Sequence, residues 1–153
     1  TIVTSIGKYG KGFLIRGKTK NHKIESIRLD SNESTHGPYS FCNLNMNQFV
    51  LTGLVQNTSI LLDNNYVNSL VFRDHINRGV ITITNLNSDL SPLSEVEIIN
   101  SSLGEVEMRN VDFSKCNLFT ITSSSLIKVQ SSGVKWFSSK LLNSITLEIL
   151  FRL

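Results

Sequence analysis

Five carboxylates crowd the stretch SEVEIINSSLGEVEMRNVD (94–112): Glu95, Glu97, Glu105, Glu107 and Asp112. Paired carboxyls about 5–10 Å apart across a cleft are what glycosidic hydrolysis needs. The other chemical candidates are sparser. His22, His36 and His75 have no ligand spacing among themselves or with Cys42 and Cys116. Neither HExxH nor CxxC occurs, so no metal site is expected. The two cysteines stand 74 positions apart and read as small buried thiols. GKYGKGF (7–13) lacks the GxxxxGK[ST] form of a phosphate-cradling loop. No GxSxG marks a nucleophile elbow. The expectation is a chain with no catalytic residues, no metal and no cofactor.

The more distinctive chemistry is electrostatic. Net charge is +3, but residues 1–28 hold seven basic side chains against Glu25 alone, so the rest of the chain carries −3. Such a stretch attracts anionic partners at long range. Within it Lys8, Lys18, Lys23 and Arg28 form the candidate binding surface, for a reason that lies in how the chain repeats.

Between residues 91 and 120 an apolar residue returns every fifth place: Leu93, Ile98, Leu103, Met108, Phe113, Leu118. Two places before each stands a small or β-branched one: Ser91, Val96, Ser101, Val106, Val111, Cys116. A helix repeats at 3.6 residues and a strand at 2, so a period of 5 is neither. In an extended chain residues i−2 and i share a side and i−1 faces away. Each five therefore makes one inward step of two side chains, and its last two residues turn a corner. Repeated, this winds a coil whose turns stack through parallel hydrogen bonds about 4.8 Å apart.

Towards the N-terminus the same rule gives centres at Tyr9, Leu14, Thr19, Ile24, Leu29, Ser34, Tyr39, Leu44, Phe49, Leu54 and Ser59. It slips by two after residue 61 and resumes at Tyr66, Val71, Ile76, Ile81 and Leu86. It slips again before Leu93 and at 121–123. Gly7, Gly12 and Gly17 fall on the small inward places, which accounts for GKYGKGF. His22 and Asp74 also fall on inward places. Lys8, Lys18, Lys23 and Arg28 fall on outward ones, so they project from the early coils.

VDFSK (111–115) and CNLFT (116–120) resemble the pentapeptide-repeat family, whose motif is written A(D/N)Lxx; VEMRN, SSLGE and VEIIN are degenerate versions. The resemblance implies a right-handed quadrilateral β-helix, four fives to a coil, all-β, with about seven coils in one domain spanning 1–153. The sequence departs from the family in having no alanine. A less regular right-handed β-helix is the near alternative, with the slips as bulges or short loops. With four sides to a coil, Glu97 and Glu107 lie half a turn apart and point away from each other, as on a solvated face.

Both ends of a solenoid expose edges that need covers. LLNSITLEILFRL (141–153) is apolar enough to serve as a terminal cap, a dimer contact or a junction to a further segment. No window is long and apolar enough for a membrane span, and no basic leader precedes an apolar run. The chain starts at Thr1, as a processed or trimmed piece would, and a bacterial, cytoplasmic protein is expected.

Three functions compete. The first is a non-catalytic protein-interaction or scaffold module, with 141–153 available as a homodimer contact and an anionic partner at the basic end. The second follows from the resemblance: some pentapeptide-repeat proteins mimic DNA and bind gyrase or related topoisomerases, which demands a strongly acidic rod. The third is a carbohydrate-active β-helix, which demands the carboxylate cleft.

Overall fold

The computed structural model describes residues 2–6, 12–34, 38–55, 58–86 and 93–135. Lys8 and the apolar segment 141–153, expected as a cap or dimer contact, lie outside the described residues. Among those described there are eleven strands and no helix. They are β1 (Ile2–Ile6), β2 (Phe13–Arg16), β3 (Lys23–Ser34), β4 (Tyr39–Cys42), β5 (Asn45–Val55), β6 (Ile60–Asp63), β7 (Tyr66–Thr84), β8 (Glu95–Ile99), β9 (Ser102–Arg109), β10 (Leu118–Thr122) and β11 (Ser125–Ser132).

Every pairing is parallel, and each joins residues one circuit apart. One ladder runs Ile27, Phe49, Leu70, Val96, Phe119. Another runs Phe13, Tyr39, Ile60, Ile81, Val106, Val129. The chain is a parallel β-solenoid. Successive rungs lie 21 to 26 residues apart, not 20, so the described stack has fewer coils than the seven expected.

Within the described strands, single extra residues enter where the register shifts. The register shifts between Asn32 and Ser34, between Thr52 and Gly53, and between Asn77 and Val80.

Burial follows the period of five. Buried pairs stand at 60/62, 65/67, 70/72 and 75/77, after which Ile81 lies beside Ile60. Four inward pairs thus close one circuit. The same pairing holds at 39/41, 44/46 and 49/51, and at 96/98, 101/103, 106/108 and 111/113.

The expected phase needs correction in three places. Between 60 and 77 it is off by one, so the expected centre Ile76 is exposed and its neighbours His75 and Asn77 are fully buried. Leu14 and Leu118, also expected inside, are 55% and 41% exposed, because Phe13 with Ile15 and Phe119 with Ile121 take the inward places. His22 and Asp74 are exposed, not inward.

The small-beside-large rule is also local. Phe49 with Leu51, and Leu70 with Phe72, are large pairs. The core is filled instead by rings meeting edge to face, within a coil as Phe41 and Phe49 do at 4.8 Å and between coils as Phe13 and Phe41 do at 5.7 Å.

Two of the corner columns turn through φ > 0, which asparagine tolerates better than other non-glycine residues. One corner stacks Asn43, Asn64, Asn85, Asn110 and Gly133, all with φ between 50° and 63°. A second stacks Asp74, Asn100 and Ser123. Their amides bond along the stack: Asn110 Nδ2 donates to Asn85 Oδ1 at 3.1 Å and Asn100 Nδ2 to Asp74 Oδ1 at 2.6 Å.

Where coils approach most closely, glycine is needed for space. A Cβ on Gly79 would stand 2.3 Å from the Thr58 carbonyl oxygen. Backbone cannot move aside as a side chain can, so Gly79→Ala is expected to cost about 1–3 kcal/mol. A melting midpoint lowered by at least a few degrees in a thermal scan checks this.

Candidate binding surface

Outward side chains stand in columns one rung apart. Arg73 Nη2 meets Glu97 Oε2 at 2.9 Å, Lys128 Nζ meets Glu105 Oε1 at 2.5 Å, and Lys135 Nζ meets Asp112 Oδ2 at 3.4 Å, each across neighbouring coils. Arg28 with Asp30 and Arg109 with Glu107 pair along a strand. Glu97 and Glu107 belong to β8 and β9, on different ladders, and each has its own arginine. A shallow depression of about 350 Å³ is lined by Glu107, Met108, Arg109, Gln130, Ser131 and Ser132. Its one carboxylate is already held by Arg109.

Among the described residues no three His, Cys, Asp or Glu side chains converge as metal ligands. Cys42 and Cys116 are free and buried, and burial pushes both thiols up. Asp63 adds to the shift at Cys42 and Arg16 opposes it. Hydrogen bonds from Ser114 hold the Asp112 carboxyl below its ordinary value, helped by Lys135.

The basic residues divide. Arg28 lies on β3, level with Val50 of the next coil, and its charge is engaged by Asp30 at 3.6 Å. Lys18 and Lys23 are exposed, in the turn after β2 and at the first residue of β3. Two cations beside them stand out less in the sequence. Arg16 ends β2 and is exposed.

Lys20 is half-buried over the Tyr66 ring, 3.9 Å from its centroid, and donates to Asn64 Oδ1 at 2.8 Å. Partial burial lowers the Lys20 ammonium below its ordinary value, and the Asp63 carboxylate opposes that. Arg16, Lys18, Lys20 and Lys23 make no ion pair among the described residues, unlike the five cations paired above. Lys18 and Lys23 were legible from the five-residue rule. The only sequence signal for Lys20 is its place two residues from Lys18 in KTK.

The turn is tied to the asparagine corner below it. Asn43 Nδ2 donates to the Gly17 carbonyl at 2.7 Å, and Asn45 Nδ2 to the Lys20 carbonyl at 2.9 Å. No helix of the described residues is long and apolar enough to cross a membrane. No protein-family model, no curated protein and no solved structure matches this chain.

Proposed function

We propose that the chain is a non-catalytic interaction or scaffold module, a degenerate relative of the pentapeptide-repeat proteins that presents rigid columns of side chains to a partner protein. The observation that carries this reading is the pairing of outward charges from coil to coil, with Glu97, Glu105 and Asp112 each held by a cation of the neighbouring rung. Carboxylates committed in this way line a surface and do not converge on a substrate. The same neutralisation disfavours the DNA-mimic alternative, which needs a continuous acidic face.

Two assays and one capture test the reading. Gyrase supercoiling is expected to proceed unchanged with the protein present, and polygalacturonate to gain no new reducing ends. Cross-linking in the cells that make the protein, read by mass spectrometry, is expected to join one identified partner to outward positions such as Arg73 and Thr82. Inhibition of gyrase would establish the mimic instead. New reducing ends would establish an enzyme.

A further inference from the structure

We infer that the turn carrying Arg16, Lys18, Lys20 and Lys23, with the asparagine corner beneath it, is a binding site for an acidic polysaccharide. This goes beyond a scaffold that meets a partner protein. Two observations join here. Four cations within eight residues make no ion pair among the described residues, whereas Arg28, Arg73, Arg109, Lys128 and Lys135 each hold a carboxylate. Charge of this density without an ion pair, with Asp63 acting on Lys20 only from beyond ion-pair distance, attracts a polymer carrying repeated anionic groups.

The second observation selects the polymer. The turn is continuous with Asn43, Asn45 and Asn64 through the Asn43–Gly17, Asn45–Lys20 and Lys20–Asn64 hydrogen bonds. An amide both donates and accepts, which suits sugar hydroxyls lying between anionic groups. Nucleic-acid binding by stacking needs an open aromatic face. The nearby aromatic, Tyr66, is covered by Lys20. No helix is present among the described residues to enter a groove.

The test measures binding of the whole protein to polygalacturonate and heparin, with duplex DNA, polyphosphate and neutral dextran alongside. Both acidic polysaccharides are expected to bind, more weakly as salt rises, and dextran not to bind. The exposed pair Lys18→Gln/Lys23→Gln is expected to weaken that binding at least tenfold. The control Arg78→Gln/Lys115→Gln removes the same charge from two other exposed positions and is expected to change it less than twofold. Asn64→Gly keeps the corner's φ and removes its amide; it is expected to weaken polygalacturonate binding about threefold and leave polyphosphate unchanged.

Equal losses in the two double variants would overturn the site, leaving only net charge. Tighter binding to DNA than to either polysaccharide, or an equal loss of polyphosphate binding in Asn64→Gly, would overturn the assignment to polysaccharide. No binding to any polyanion at low salt would overturn both, while leaving the gyrase and cross-linking results untouched.

Discussion

Asn65→Leu is expected to destabilise the protein by about 2–6 kcal/mol, although leucine nearly matches asparagine in shape. Asn65 is fully buried, at an inward place where the neighbouring coils carry Leu44 and Leu86. Its amide does the work of backbone. Oδ1 accepts from the Leu44 N–H at 2.9 Å, and Nδ2 donates to the Phe41 carbonyl at 2.8 Å. Leucine would leave a buried donor and a buried acceptor unsatisfied, each costing about 1–3 kcal/mol.

Asn77 is built the same way. It is fully buried and donates to the Thr58 carbonyl at 3.1 Å, while its Oδ1 takes the Gly79 N–H at 2.8 Å. Urea unfolding checks the prediction: the Asn65→Leu midpoint should fall with an unchanged slope. Asn117→Ala, at an exposed position, should stay within about 0.5 kcal/mol of the parent.

These two asparagines also explain which parts of the fold were legible in the sequence. Between 93 and 113 the inward places hold Leu93, Val96, Ile98, Ser101, Leu103, Val106, Met108, Val111 and Phe113, all apolar but Ser101, so hydrophobicity gives the period and its phase. Between 60 and 77 the signal is inverted at several places. Asn65, His75 and Asn77 point inward, while Leu61 is only half-buried and Ile76 is exposed. A pattern reader that expects apolar residues inside must then choose the wrong phase. The corners were hidden for a different reason. Asn43, Asn64, Asn85 and Asn110 recur at intervals of 21, 21 and 25, so no fixed period exposes them.

The binding surface was legible only as far as local outward placement reaches. Lys18 and Lys23 follow from it. The neutralisation of Arg28 by Asp30 and the seating of Lys20 on Tyr66 and Asn64 do not, and the Lys20–Asn64 contact joins residues 44 apart in the chain.

His75 sets the second large effect, a loss of stability in mild acid. Its ring occupies an inward place between Gly53 and Ser101, whose small size leaves room for it. It is fully buried, 6.4 Å from the Phe72 ring, and neither ring nitrogen meets a hydrogen-bond partner. Burial lowers its pKa from 6.5 to about 4, and the nearby carbonyls of Thr52 and Gly53 oppose that shift only in part. The neighbouring charges, Arg73 and Asp74, are exposed at the corner.

The folded state therefore keeps the imidazole neutral at pH values where the unfolded chain protonates it. Above pH 6.5 the residue costs nothing by this route. As pH falls from 6.5 to about 4 the unfolded chain binds the extra proton, and stability drops by about 3 kcal/mol. The Asp112 carboxyl, held below its ordinary 3.8, adds a loss only at lower pH, so the two windows separate.

Urea midpoints between pH 7 and 4.5 should fall steeply for the parent and much less for His75→Leu, which cannot titrate and buries no unpaired nitrogen. A midpoint for the parent that stays flat over that range would mean that the ring is solvated or hydrogen-bonded in solution. If the ring is solvated, the inverted phase at 75–77 is wrong as well, because it is the inward placement of His75 that takes its proton site away from water.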